Sequence, residues 1–202
     1  MKPKILITAG DPLGIGPEIT VKALRDPAIR RLCRPFIIGD TAALARAGWT
    51  PGLAPLLPLD SGLGRRRPGP TAEGGAASLK AVKLAHKFMR GGFFGALATA
   101  PISKEAWALA GAEYQAHTDL FRALEGKEPL MLFSRGPVNA ALVTEHTPIK
   151  DLAKAITREL VVKKALLFAE ALKALGRARP RIALCALNPH AGDGGVIGRE
   201  EK

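Results

Sequence analysis

The segment AGDPLGIGPE, residues 9–18, comes directly after the apolar run Ile5-Leu6-Ile7. A short apolar strand that ends in Gly-Asp and leads into Pro-Glu, residue types that favour the first turn of a helix, is typical of a strand-to-helix turn in an α/β domain. The glycines allow a tight turn and a close approach of the backbone to another group. We predict that the backbone N–H groups of this turn, together with the helix that follows, face an anion.

Strand-like and helix-like segments alternate along the whole sequence. The predicted strands are residues 4–8, 35–38, 94–99, 131–134, 138–144 and 181–187. The predicted helices are residues 17–25, 41–47, 76–89, 104–109, 118–124, 149–156 and 159–175. This alternation favours α/β layers around a mostly parallel sheet.

Polar motifs follow four of the predicted strands, at the point where each strand ends. They are Gly10-Asp11-Pro12, Ala100-Pro101-Ile102-Ser103-Lys104, Glu145-His146-Thr147-Pro148 and Asn188-Pro189-His190-Ala191-Gly192. Loops at the carboxyl ends of parallel strands converge at the edge of the sheet where ligands bind. The sequence therefore predicts a ligand site built from these four loops.

Two of these loops carry a histidine, His146 and His190. A neutral imidazole beside glycine or proline can present a nitrogen to a metal ion without crowding from the backbone. The two residues lie far apart in the sequence, so no spacing rule connects them, and hydrogen-bonded surface histidines are the alternative. His86, inside the predicted helix 76–89, is expected to have a structural role.

The opening turn does not match a dinucleotide-binding fingerprint. If Gly14-Ile15-Gly16 is taken as the start of that motif, Ile19 stands where the third glycine belongs. Asp40, at the end of the second predicted strand, could contact a ribose. Its position directly before Thr41 predicts instead that it caps a helix.

The distribution of charge indicates the class of partner. The formal net charge is +12 and the isoelectric point is about 10.2. The tight basic cluster Arg65-Arg66-Arg67 lies in a Pro- and Gly-rich stretch, and the aromatic residues do not alternate with basic ones as they do in a base-stacking platform. We therefore expect no nucleic-acid partner. A basic balance also suits small anions such as phosphates and carboxylates.

We predict a cytoplasmic protein without a membrane span. The longest apolar runs fall well short of the roughly 18 residues that a span needs, and no charged-then-apolar leader opens the sequence. The two cysteines, Cys33 and Cys185, lie in apolar or strand-like contexts. We expect both to be buried, reduced thiols.

Six segments, in this order along the chain, resemble the signature blocks of the 4-hydroxythreonine-4-phosphate dehydrogenases of vitamin B6 biosynthesis. They are ITAGDPLGIGPEI, TAEGGAASLKAVKLA, ALATAPISKEA, AHTDLF, VTEHTPIKDLAKAIT and LNPHAGDGGVIGREE. The blocks extend over nearly the whole chain. The first is also similar to the Gly-Asp-Gly-Ile-Gly-Pro-Glu turn of the isocitrate and isopropylmalate dehydrogenases, whose fold this family shares.

The resemblance implies two α/β/α domains with a cleft between them, as in the isocitrate and isopropylmalate dehydrogenases. We expect the first domain over residues 1–113 and the second over residues 114–202. The family's third metal histidine, in a His-Asp-Gln-Gly block, and a Lys, an Asn and an Arg that hold the substrate would follow Lys202. The second domain is therefore expected to be incomplete in this chain.

The resemblance also implies roles for individual residues. It makes His117 and Thr118 substrate-binding residues, and it makes His146 and His190 ligands of one divalent metal ion, which is Zn, Mg or Co. For the cofactor, NAD or NADP, the expected contacts are Gly10, Asp11 and Gly14. Lys104 is a candidate for contact with either the cofactor or the substrate. The residue that acts as general base is not assigned.

The implied reaction is the NAD-dependent oxidation and decarboxylation of 4-phosphohydroxy-L-threonine to 3-amino-2-oxopropyl phosphate. Two alternatives remain: a phospho-threonate dehydrogenase of the same family, and a catalytically inactive, truncated chain. Without the residues that would follow Lys202, we expect this chain alone to be inactive. The resemblance further implies a homodimer. Residues 94–124 carry Trp107 and Tyr114, whose aromatic types are enriched at interfaces.

Overall fold

A computed structural model of the chain describes residues 1–63 and 68–202. These residues form two units, Met1–Lys127 and Glu128–Lys202. The boundary between these units lies after Lys127. The division into domains at residues 113 and 114 stays a prediction. The basic cluster Arg65-Arg66-Arg67 lies outside the described residues.

The first unit is built on a four-stranded parallel sheet, which confirms the predicted α/β class with a mostly parallel sheet. Its strands are β1 (Lys4–Thr8), β2 (Arg34–Asp40), β3 (Leu56–Leu59) and β4 (Ala96–Thr99), in the spatial order β3-β2-β1-β4. Strand β1 lies in the centre and pairs in parallel with both β2 and β4. The sequence did not predict β3. Its sequence LLPL contains Pro58, which is tolerated because β3 is an edge strand.

Six helices accompany this sheet, and most begin at a residue whose side chain caps them. They are α1 (Gly16–Arg25), α2 (Pro27–Leu32), α3 (Thr41–Arg46), α4 (Ala72–Arg90), α5 (Lys104–Leu109) and α6 (His117–Glu125). The Asp40 carboxylate accepts a 2.6 Å hydrogen bond from the Ala43 N–H, which confirms its predicted role as the cap of α3. Thr71 caps α4 and Ser103 caps α5 in the same way.

The apolar core lies on both faces of the sheet because successive strand residues point to opposite sides. Leu6 and Ile38 pack with α4 on one face, and Ile37 packs with α1 and α3 on the other. The first unit therefore has three layers, α/β/α. Trp107, which the sequence suggested for an interface, is instead fully buried in a third cluster with Val82.

The second unit contains no parallel sheet among the residues that the structure describes. Strands β5 (Leu132–Arg135) and β6 (Val138–Ala141) form an antiparallel hairpin. Their two-residue loop begins at Gly136, whose φ of 57° is easily adopted by glycine. The predicted strand 138–144 therefore ends early and belongs to a hairpin rather than to a parallel sheet.

The helices of the second unit are α7 (Leu152–Ala155) and α8 (Arg158–Ala174), and two 3₁₀ segments, Ile149–Asp151 and Pro189–Gly195, accompany them. The predicted helix 149–156 is therefore divided into a 3₁₀ turn and a short α-helix. Within residues 1–63 and 68–202, no helix has both the length and the apolar character needed to cross a bilayer.

The prediction of a strand over residues 181–187 was wrong. The segment has no strand partner within the described parts of the chain, and an apolar run forms a strand only where a neighbour accepts and donates its backbone hydrogen bonds. Cys185 within it is exposed, contrary to the expected burial, and Cys33 is half-buried. Both thiols are free, as expected.

The packing of α4 against α5 depends on the absence of a side chain at Gly75. A Cβ atom there would lie 1.9 Å from the backbone oxygen of Ala106. We predict that Gly75→Ala lowers the free energy of unfolding by about 1–3 kcal/mol, although alanine favours a helix by about 1 kcal/mol, because two backbones must separate. Urea unfolding monitored by circular dichroism would measure this change.

Gly52→Ala is the matched control, since a Cβ atom at Gly52 meets nothing within 4 Å. Its effect should stay within about 0.5 kcal/mol. An equally small effect of Gly75→Ala would contradict the close packing of the two helices.

Candidate functional site

The turn after β1 lies against the loop that follows β4, because the two strands are parallel neighbours in register from Ile5 to Thr8. The backbone N–H of Asp11 donates to the carbonyl oxygen of Pro101 at 3.1 Å. Gly10 adopts a φ of 76°, and a Cβ atom there would lie 2.2 Å from the same oxygen. The group that the glycine turn approaches is therefore the backbone of the chain itself.

An open cleft of about 320 Å³ lies where these two loops meet. Its walls are Asp11, Leu13, Gly14, Ile15, Gly69, Pro70, Pro101, Ile102 and Ser103. The structure thus places two of the expected cofactor contacts, Asp11 and Gly14, on one cleft. Gly10 lies next to them in the turn, and the exposed Lys104 follows directly after the cleft residue Ser103.

The Asp11 carboxylate is buried at this edge of the sheet, with only 3% of the residue exposed. Its Oδ1 accepts a 2.9 Å hydrogen bond from the Leu13 N–H. It also lies against the first turn of α4, since a Cβ atom on Gly74 would be 2.8 Å from Oδ1. Burial raises the pKa of Asp11, and the Leu13 N–H opposes that rise by favouring the charged carboxylate.

His117 and Thr118, the expected substrate-binding residues, form the start of α6. The His117 ring packs 5.7 Å from the Trp107 ring and 6.4 Å from the Phe121 ring, measured between centroids. Burial lowers the pKa of His117, so the neutral imidazole is favoured. Its Nε2 atom is buried and has no hydrogen-bond partner in the described chain. Such an atom is available to a ligand, because leaving it unpaired is costly.

Thr8 was missed by the sequence analysis, although it directly precedes the Ala9–Gly10 turn. It is the last residue of β1 and fully buried. Its Oγ1 atom is buried and lacks a hydrogen-bond partner among residues 1–63 and 68–202. Thr8 does not line the cleft described above. The apolar pattern of the strand gave no indication of this unpaired hydroxyl.

His86 has the structural role that its place in a helix predicted. Its Nε2 atom pairs with Oε1 of Glu125 at 2.5 Å, which connects α4 to the last residue of α6. Arg90 reaches the other oxygen of the same carboxylate at 3.3 Å. His86 is therefore occupied by an internal partner and is not available as a ligand.

The two histidines expected to bind metal, His146 and His190, are both exposed and both lie in the second unit. Both were predicted to follow parallel strands, and this prediction was wrong. Strand β6 ends at Ala141, and residues 181–187 form no strand. Both have left-handed backbones, with φ of 54° and 52°. Residues other than glycine rarely adopt this conformation, and it is found most often where the neighbouring structure imposes it.

Imidazole nitrogens are suitable ligands for zinc and cobalt, and both rings are open to solvent, so the chemistry of these two residues fits a divalent ion. Across the parts of the chain that the structure describes, no group of three His, Cys, Asp or Glu side chains gathers around an ion-sized site. His146 and His190 are therefore not part of a complete metal site among the described residues. The metal role of both residues stays a prediction.

Comparison with known proteins agrees with the family resemblance found in the sequence. The sequence model of the family described as pyridoxal phosphate biosynthetic protein PdxA matches residues 31–202. A 4-hydroxythreonine-4-phosphate dehydrogenase of Geobacter metallireducens is 36% identical over 226 residues, which cover 99% of this chain and 66% of that protein. A protein of Symbiobacterium thermophilum assigned as a D-threonate 4-phosphate dehydrogenase is 35% identical, with the same coverage.

Solved structures agree. The 4-hydroxythreonine-4-phosphate dehydrogenase of Klebsiella pneumoniae matches with a TM-score of 0.89 and 27% identity over 100% of this chain and 67% of that one. The enzyme of Burkholderia phymatum matches with a TM-score of 0.84 and 30% identity over the same shares. The chain spans slightly less than two thirds of the length of the curated relatives named above.

The raised pKa of Asp11 has a consequence for stability. The native state holds the Asp11 proton more tightly than the unfolded chain does, so this carboxyl lowers stability as the pH rises from about 3.8 through its native pKa. We predict that Asp11→Asn, which removes this titration and keeps an oxygen for the Leu13 N–H, stabilises the fold more at about pH 7 than at about pH 4. Urea unfolding at several pH values would measure the difference.

Asp26→Asn is the control, because Asp26 caps α2 at an exposed position. The difference in free energy of unfolding between Asp26→Asn and wild type should not shift in favour of the variant as the pH rises to neutral. A difference between wild type and Asp11→Asn that does not vary with pH would show that Asp11 is not desolvated in the native state.

Proposed function

The chain belongs to the PdxA family of pyridoxal phosphate biosynthetic proteins, and on this premise we propose that it acts as a dehydrogenase on 4-phosphohydroxy-L-threonine. Its relatives in Geobacter metallireducens and Klebsiella pneumoniae carry the corresponding name. The observation that carries the proposal is the Nε2 atom of His117, which is buried and unpartnered within the described residues at the start of α6. That is the position at which the family resemblance requires a substrate contact.

In the proposed reaction the C3 alcohol of the substrate is oxidised to a ketone: the hydrogen on C3 passes to NAD as a hydride, and the proton of the C3 hydroxyl passes to a base. The resulting β-keto acid then loses carbon dioxide. A bound nicotinamide ring supplies the hydride acceptor. The neutral imidazole of His117 and the hydroxyl of Thr118 orient the substrate, and correct orientation is a large part of what an enzyme contributes to such a transfer.

For the cofactor we propose the cleft between the β1 turn and the β4 loop. Asp11 and Gly14 line it, Gly10 directly precedes Asp11, and Lys104 directly follows the lining residue Ser103. The Asp11 carboxylate can accept a hydrogen bond from a ligand hydroxyl, because the structure gives it a single hydrogen bond within the described residues. Lys104, with an exposed ammonium group, is suited to a phosphate of NAD or NADP.

We propose a divalent metal ion, Zn, Mg or Co, with His146 and His190 as two of its ligands. A bound ion of this kind supplies Lewis-acid polarisation of a substrate oxygen. The support is the ligand chemistry of two exposed imidazoles and the family resemblance. Free thiols at Cys33 and Cys185 suit a reducing compartment, so we propose a cytoplasmic location.

A homodimer is part of the proposal. The segment over residues 94–124 leaves Leu109 and Leu124 exposed. Exposed apolar side chains of this size are suited to burial against a second subunit.

A D-threonate 4-phosphate dehydrogenase is the second candidate function. It is favoured by the relative in Symbiobacterium thermophilum and by another in Bradyrhizobium diazoefficiens, each 35% identical. These identities are close to that of the Geobacter metallireducens relative, so overall similarity does not distinguish the two substrates.

We predict that the protein reduces NAD faster with 4-phosphohydroxy-L-threonine than with D-threonate 4-phosphate. We also predict that His117→Ala lowers kcat/KM for the better substrate by about 10- to 100-fold, as expected for the loss of one hydrogen bond to a charged or strongly polar group. NADH absorbance gives both rates. The exposed variant Glu113→Gln is the control and should keep the wild-type value.

Three results would oppose this assignment. Faster turnover of D-threonate 4-phosphate would select the second candidate. An unchanged kcat/KM in folded His117→Ala would remove His117 from the substrate site. Absence of turnover with either substrate would contradict the activity proposed here and select the alternative of a catalytically inactive chain.

The metal proposal predicts that His190→Ala weakens zinc binding by at least about tenfold and leaves the thermal unfolding midpoint within a few degrees of wild type, since His190 is exposed. Isothermal titration with ZnCl₂ measures the affinity. His86→Gln removes an imidazole that already has an internal partner, so it should bind zinc as the wild type does. Wild-type affinity in His190→Ala would refute the ligand role.

A further inference from the structure

A buried lysine occupies the second unit. Lys164 lies in the middle of α8, and only 5% of the residue is exposed. Its Nζ atom donates a 3.1 Å hydrogen bond to Oε1 of Glu128 and a 2.8 Å hydrogen bond to the carbonyl oxygen of Pro129. A lysine is rarely buried unless its charge is compensated, so these partners explain how it is tolerated.

A second carboxylate lies near the same ammonium group. Oε1 of Glu145 is 3.9 Å from Nζ of Lys164. This oxygen is buried and has no hydrogen-bond partner in the described chain. An ammonium group has three N–H donors, and the contacts with Glu128 and Pro129 use two of them. Lys164 therefore has one N–H donor that these two contacts do not use, and it forms a longer ion pair with Glu145.

Glu145 directly precedes His146, whose φ is 54°. A left-handed backbone at a non-glycine residue is unfavourable and persists where the adjacent structure holds it in place. Within this loop, the Thr147 hydroxyl donates only a long hydrogen bond, 3.5 Å, to the carbonyl oxygen of Glu145. The ion pair between the Glu145 side chain and Lys164, at 3.9 Å, connects this loop to α8.

We propose that Lys164 is a positioning residue that, through Glu145, holds His146 in its left-handed, solvent-exposed conformation and so prepares its imidazole to bind a metal ion. The metal part of this inference rests on the function proposed above. The positioning part does not, because it concerns the backbone of the protein without metal. A purely structural ion pair would stabilise the second unit without controlling the conformation at His146.

Three variants of the full protein test this inference. Lys164→Met removes the ammonium group and keeps much of the side-chain volume, and Glu145→Gln removes the carboxylate charge with little change of shape. Lys163→Met is the matched control, since Lys163 is the next residue of the same helix, 57% of its side chain is exposed, and its Nζ lies 4.0 Å from Glu128.

The first measurement is the Cα chemical shift of His146 by NMR in metal-free protein, which reports the backbone conformation. The second is the affinity for Zn²⁺ by titration. We expect Lys164→Met and Glu145→Gln to move the His146 shift away from its wild-type value and to weaken Zn²⁺ binding by about 10- to 100-fold, the usual effect of removing a residue that orients a ligand. Lys163→Met should change neither value.

The double variant Lys164→Met/Glu145→Gln should weaken Zn²⁺ binding no more than the stronger single variant, because both residues act through one contact. An unchanged His146 shift in folded Lys164→Met and Glu145→Gln would overturn the inference. If Lys164→Met does not fold, Glu145→Gln decides the question alone. Zn²⁺ binding that survives His146→Ala would refute the proposed ligand, and the chemical shifts would still decide the positioning role.

Discussion

The contact between the backbone of Gly10 and the carbonyl oxygen of Pro101 is the constraint on which the rest of the first unit depends. It requires a residue without Cβ and with positive φ directly after β1. It fixes the Asp11 N–H on the loop that follows β4, at 3.1 Å from the Pro101 oxygen. With both strand ends held together, the Asp11 carboxylate is buried beside α4, and residues of both loops line the cleft. The glycine turn therefore shapes the cleft, which we propose as the ligand site, by packing against its own chain.

Local features of the sequence predicted much of this unit. The helix cap at Asp40 follows from a hydrogen bond between residues three apart, and the strand at residues 4–8 follows from an apolar run bounded by glycine. Features that depend on distant partners were not predictable in this way. Strand β3 contains a proline and is stabilised by its pairing with β2. Residues 181–187 have the composition of a strand, but no partner pairs with them in the described chain.

The candidate site also combines local features, which the sequence indicates, with features that depend on distant partners. Asp11 and Gly14 were expected near a ligand from their place after a strand, and the structure puts both on one cleft. The burial of the Nε2 atom of His117 depends on Trp107 and Phe121, whose packing no sequence pattern indicated. Lys164 was missed because a lysine in a helix is usually solvated. Its burial arises from Glu128, which is remote in sequence. Position after a strand located Asp11 and Gly14 correctly because β1 forms where the apolar run predicts it, whereas it failed for His146 and His190, whose predicted strands end early or do not form. The buried polar contacts of His117 and Lys164 required the tertiary structure.

The central claim is that ligands bind at the carboxyl edge of β1 and β4 and at the start of α6. Hydrogen–deuterium exchange of the protein, compared with and without NAD and 4-phosphohydroxy-L-threonine, tests this claim most directly. The account predicts slower exchange on ligand addition in peptides that cover residues 9–18, 100–104 and 117–118, with no comparable change in α2, which contributes nothing to the cleft. Unchanged exchange in those three regions, at ligand concentrations where binding is detected by calorimetry, would contradict it.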